Sequence, residues 1–303
     1  MNKSEEEEKF EENAKKMPKI DMSKIANIGA LDSSEKDFVK AASKKINVSA
    51  RRDAKKKFSF NEPLPFNLPS RGKYYQDSDD PDIRKGTIML VPMSVADEEI
   101  LTNKAYQKNG SMFRVLFDTC MASNYPAEKL LQFDVMYIMY LLRKISYGDD
   151  YKFNVHCDEC DKDFEYTMNV SDIIWKELPD DEPDVREIKL PRSGYTVTMP
   201  LPRLGMDEDQ EMIKRQNADN DMATDMVTLF VSRTISIRDP NGNEVPPSDW
   251  IEFFHELPTI DRNAINNSFK NADNNPKVSI VCPKCGNIIK MAVPIDTDFF
   301  RTE

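Results

Sequence analysis

The feature that most restricts how this chain can fold is a pair of short Cys-x-x-Cys segments set far apart. Residues 155–170 read VHCDECDKDFEYTMNV and residues 280–294 read IVCPKCGNIIKMAVP. Each pair of cysteines sits between short apolar or aromatic runs, the pattern of a β-hairpin. Three chemistries compete for such an arrangement: one shared metal ion, two redox dithiols, or disulfides. A Cys-x-x-Cys turn points two thiolates at one ion while nearby N–H groups stabilise their charge, and two turns complete a tetrahedron. A redox dithiol wants a helix N-terminus after a strand, where the thiol pKa falls, and neither motif is followed by a good helix. The acidic N-terminus MNKSEEEEKFEENAKK has no apolar signal core, which predicts synthesis in a reducing cytoplasm where lasting disulfides are rare.

The expectation is therefore one structural Zn²⁺ per chain, held by Cys157, Cys160, Cys282 and Cys285 in a zinc ribbon made of two pieces. The 121 residues between Cys160 and Cys282 exceed normal ribbon spacing. Doubling a flexible loop costs only about 0.6 kcal/mol more to close, and a folded insert with nearby ends costs less. A closed Cys₄ site leaves no position for water or substrate, so it holds a shape and performs no reaction. Cys120 falls on an apolar helical stripe and is expected to be a core thiol. His156 is expected to neighbour the site without ligating it, and His255 to be a packed or surface residue.

Charge narrows the function. The net charge is −11, yet residues 1–57 hold 15 Lys/Arg against 11 Asp/Glu, a net of +4, which leaves −15 for the rest. A net-acidic body disfavours nucleic acid, because binding needs basic groups to displace counterions from phosphates. Asp158, Glu159, Asp161, Asp163 and Glu165 crowd the first cysteine pair, and only Lys284 and Lys290 favour such binding at the second. With two histidines, no Gly-rich phosphate loop and no recognisable nucleophile–base pair, no enzymatic activity is expected. No apolar run reaches the roughly 18 residues of a membrane span.

The periodicities predict an α+β fold: a helical core with short β-hairpins and the split zinc ribbon, preceded by an extended N-terminal arm. The expected divisions are an arm over 1–60, a helical domain with the first knuckle over 61–178, an α+β domain over 179–275, and a terminal knuckle over 276–303 that packs back on 153–170. Residues 60–82 read as an irregular ordered loop and 85–93 as a strand. Ser94, with Asp97 three residues later, signals a helix start. Phe113, Leu116, Phe117 and Cys120 form a core-facing stripe. Residues 127–148 read as the central core helix, with Gly148 as its stop and Asp134 as a capped or paired polar residue near its start. A short helix and an acidic linker follow the first hairpin, and then a hairpin around Ser193–Gly194. Further helices and a strand with an Asn-Gly turn fill the chain up to the second knuckle.

The order of motifs carries a resemblance. LPSRGKYY, GTIMLVPMSVADEEILTN, LLRKISYGDDYKFNVHCDEC, a terminal CPKCG and DTDFFR resemble the baseplate hub protein family of T-even-type contractile-tailed bacteriophages, over residues 65–301. The resemblance implies a structural or assembly role in the hub of the tail baseplate, with no enzymatic activity. It implies other phage tail and baseplate proteins as partners, self-association in a ring as a further expectation, and residence in the virion after synthesis in the host cytoplasm. Residues 186–271 also loosely resemble tail-assembly chaperones. Arg71 of LPSRG is expected to pair with an acidic residue of the body, and Tyr147 of RKISYG to pack beneath the first knuckle.

Overall fold

The structure is a computed structural model and describes residue 50 and residues 62–123, 125–295 and 297–300. The expected arm over 1–60 lies outside the described residues apart from that one position. Strand β1 (Leu64–Asn67) pairs antiparallel with β2 (Thr87–Leu90), and between them lies one short helical turn, α1 (Pro81–Arg84). The loop expected over residues 60–82 thus contains a strand. Three prolines and two asparagines over residues 61–69 mask a strand that, among the described residues, pairs on one edge only.

The return from β1 to β2 needs a close backbone crossing. At Gly72 (φ 74°) an added Cβ would lie 2.5 Å from the Gly86 nitrogen, so only glycine fits. Arg71 precedes it at φ 57°. It pairs with Asp180 and Glu177 and donates to the Leu178 carbonyl. Lys73 donates to the carbonyls of Asp180 and Glu182. The expected acidic linker is thus docked, and the expected short helix before it is only a 3-10 turn, Val170–Asp172.

Helix α2 (Val95–Thr102) opens with the expected capping box between Ser94 and Asp97. Two helices follow, α3 (Lys104–Lys108) and α4 (Met112–Cys120), and Leu116, Phe117 and Cys120 are fully buried along the expected stripe. The central helix α5 covers Gln132–Tyr147, not the whole of 127–148. Ala127–Lys129 is a 3-10 turn, and Leu131 stays extended because it bridges to Arg203 while the Gln132 N–H donates to the Pro202 carbonyl (2.8 Å). A backbone partner from a distant segment therefore caps this helix start. At the other end Gly148 stops it at φ 94°.

Asp134 is fully buried in α5 and accepts from the Ser70 N–H (2.9 Å) and the Tyr75 hydroxyl (2.6 Å). Burial pushes its carboxyl up to about 6, against the pull of those two donors. The first three of the motifs singled out in the sequence interlock around this helix. Ser70 belongs to LPSRG. Glu98 of DEEIL accepts from the Tyr147 hydroxyl (2.8 Å), and Ser146 accepts from the Met93 N–H (2.9 Å). The Tyr147 hydroxyl faces α2 through this bond.

Hairpin β3 (Asp150–Cys157) and β4 (Lys162–Asn169) leaves α5 directly. Beyond it, β5 (Val185–Lys189), β6 (Thr196–Pro200) and, after helices α6 (Gly205–Gln216) and α7 (Asp225–Ser232), β7 (Ser236–Arg238) form an antiparallel sheet in the order β5-β6-β7. With α7, α8 (Trp250–His255) and α9 (Thr259–Ser268), this sheet encloses a second apolar cluster built on Val197, Met199, Ile237, Trp250 and Phe254. Phe269 packs on both clusters. Hairpin β8 (Lys277–Val281) and β9 (Ile288–Ala292) follows, with a 3-10 turn at Thr297–Phe300. No helix among the described residues is long and apolar enough to cross a membrane.

Candidate metal centre

The two cysteine turns share one backbone geometry. In the first hairpin Cys157 pairs with Lys162, and the Asp161 N–H donates to the Cys157 carbonyl (2.8 Å) with Asp161 at φ 52°. In the second the Gly286 N–H donates to the Cys282 carbonyl (2.9 Å) with Gly286 at φ 78°. Both turns need a left-handed residue directly after the second cysteine. Glycine adopts that conformation freely, and aspartate is one of the few side chains that tolerates it.

Packing β8–β9 beside β3–β4 brings the four sulfurs within 4.8 Å of one another. The first cysteine of each turn faces the second of the other: Cys157 lies 3.7 Å from Cys285, and Cys160 lies 3.8 Å from Cys282. Tetrahedral thiolates about 2.3 Å from zinc have an edge of about 3.8 Å. A disulfide would need about 2.05 Å, and all four are free thiols. Neither turn opens a helix, so neither has the setting of a redox dithiol.

The thiols differ by position. The Cys160 N–H lowers the Cys157 pKa against burial, with help from that of Glu159. Burial opposes ionisation of Cys282, but the N–H groups of Cys285 and Lys284 outweigh it and bring the thiol down to about 7. Burial and the surrounding sulfurs push Cys160 up to about 12. One thiolate in each turn is thus favoured by its own backbone. Four soft donors at these separations suit a tetrahedral metal such as zinc or iron.

His156 stands outside the sulfur group. Its Nδ1 lies 2.9 Å from Asp163 Oδ1, and its Nε2 lies 3.7 and 3.6 Å from Asp158 and Asp161. His255 is exposed, with Nδ1 2.8 Å from Glu256 Oε1. Cys120 is fully buried in the first core cluster.

Sequence reasoning missed what holds the second hairpin from behind. Phe299 and Phe300 are buried, and Phe299 meets Tyr140 and Tyr151 edge-on at centroid distances of 4.9 and 5.0 Å. The Tyr151 hydroxyl donates to the Pro294 carbonyl (3.0 Å). Arg143 lies over the Tyr151 ring (4.9 Å) and donates to the Asp150 carbonyl (2.6 Å). The available signal was two adjacent phenylalanines after the last strand, which were read only as a motif.

The family model described as T4 bacteriophage base plate protein matches residues 64–301. The chain belongs to this family. The matched region begins at β1 and takes in both cysteine turns, the three interlocked motifs and Phe299–Phe300. No curated protein and no solved structure matches the chain. Membership of this family assigns it to the phage base plate, a structural assembly of the tail.

Proposed function

We propose that this base plate protein is a structural or assembly component of the tail hub, with a fold clamped by one structural zinc ion. Cys157, Cys160, Cys282 and Cys285 would hold the ion. Bound zinc would supply no chemistry beyond cross-linking the two hairpins, because four protein ligands fill its coordination. The observation that carries the reading is the approach of the four sulfurs to tetrahedral spacing in a chain of base plate type. The expected units, 61–178, 179–275 and 276–303 folding back on 153–170, belong to this reading, as do tail-protein partners and residence in the virion. An acidic surface at the first turn, with Asp158, Asp161 and Asp163 exposed, favours a protein partner over nucleic acid.

Two measurements test it. Elemental analysis of the purified full chain is expected to give one zinc per chain, lost in Cys282→Ser; a metal-free, fully folded chain defeats the clamp. Quantitative mass spectrometry of phage particles and infected-cell lysate is expected to find a small integer number of copies beside hub proteins. Presence in lysate with tail proteins but absence from particles makes the chain an assembly chaperone.

A further inference from the structure

The second apolar cluster leaves a groove of about 390 Å³ between the β5–β6 turn, the segment before α8, and α8 with the α8–α9 junction. Its floor is apolar and aromatic: Tyr195, Phe253 and Leu257 line it, with the Tyr195 and Phe253 rings 5.2 Å apart. Its rim carries Asp249, Glu252 and Glu256, all exposed, and among the described residues no lysine or arginine lines it. An apolar floor inside a rim of one charge selects a segment with an apolar side chain between charges of the opposite sign.

One segment of the chain has that composition. Residues 43–57, SKKINVSARRDAKKK, hold seven Lys/Arg and one Asp, with Ile46 and Val48 between two basic pairs. Ile46 lies 16 positions before Glu62, so an extended chain can carry it about 55 Å from the start of the described body. A compact body of this size has a radius of gyration of about 18 Å, so the groove lies within reach of the chain's own arm.

We propose that this groove is the docking site of residues 43–57 of the same chain. Ile46 or Val48 lies across the touching Tyr195 and Phe253 rings, and the flanking lysines and arginines face Asp249, Glu252 and Glu256. Docked in this way, the arm covers the aromatic floor and neutralises part of the acidic rim.

The test uses the full chain with a photoreactive phenylalanine at Ile46, irradiated in a mixture of isotopically light and heavy copies, with cross-links mapped by mass spectrometry. The expected cross-links fall within one copy, on peptides containing Tyr195 or residues 253–258. The double reversal Glu252→Lys/Glu256→Lys should cut their yield about tenfold, near the combined effect of two exposed ion pairs changed from attraction to repulsion. Adding Lys44→Glu/Lys45→Glu in the arm should restore much of the yield, which a merely structural effect of the rim would not do. Both rim residues are exposed, and an unchanged thermal transition checks that the reversal leaves the fold intact. Cross-links scattered elsewhere, joining only different copies, or insensitive to charge reversal would overturn the proposal. So would capture of the groove by another base plate protein while the arm stays unlinked.

Discussion

The two hairpins that carry the cysteines have the same turn and almost nothing else in common. The first has eight-residue strands, and β3 alternates cleanly: Tyr151, Phe153, Val155 and Cys157 face the core and their neighbours face out. The second has five-residue strands. Among the strand residues only Ile280 is buried, and the facing pair Val281 and Ile288 is about 60% exposed. A fully buried large apolar side chain contributes about 1.5–3 kcal/mol. The first hairpin therefore brings more fully buried side chains of its own to the core, whereas the second, with Val278, Ile289 and Met291 only half-buried against it, leans more on the cysteine centre and the Phe299–Phe300 anchor.

The largest effect should come from the centre. Structural zinc sites are worth roughly 10–16 kcal/mol in small peptides at neutral pH. Chelation, or Cys282→Ser, should expose residues 277–292 to proteolysis and rapid hydrogen exchange while β3–β4 stays protected. Equal loss of protection in both hairpins would remove the asymmetry. Next comes Phe299→Ala, which empties a fully buried aromatic site and should cost about 3–5 kcal/mol in denaturant unfolding of the metal-loaded chain. If the anchor is a second tether, this variant also gives up its metal at a lower chelator concentration. Ile280→Ala should cost about 2–5 kcal/mol and bear on the second hairpin alone in hydrogen exchange.

The turns themselves give the finest test. Gly286→Ala forces a Cβ into φ 78° in otherwise open space, a cost of about 1–2 kcal/mol from backbone conformation alone. Asp161→Gly at the matching position removes a side chain that already tolerates φ 52°. It should change stability by no more than about 1 kcal/mol. Comparable losses from both would show that the turns are not equivalent.

The cysteine centre was legible in the sequence because its signal is local, two Cys-x-x-Cys turns in strand-like surroundings. So were the capping box at Ser94, the stripe on α4 and the stop at Gly148, each decided by residues a turn or less apart. What was not legible was set at a distance. The start of α5 depends on Pro202 and Arg203, some 70 positions away in the chain. Strand β1 is defined by its pairing with β2 across a glycine crossing, and its own prolines argue against it. The Tyr147 hydroxyl bonds to Glu98, 49 positions away. The Phe299–Phe300 anchor has no periodicity to announce it, and its role exists only because Tyr140, Tyr151 and Arg143 meet there.

The separation of the cysteine pairs has a consequence in time. Cys160 and Cys282 are 122 positions apart, so at 5–20 residues per second the ribosome makes the second pair roughly 6–24 s after the first. During that interval the nascent chain presents half a site, two thiols on a hairpin already able to fold. The four sulfurs can meet only after the sheet of β5, β6 and β7 has been made, so their meeting reports that the intervening chain has been synthesised and has brought its ends together.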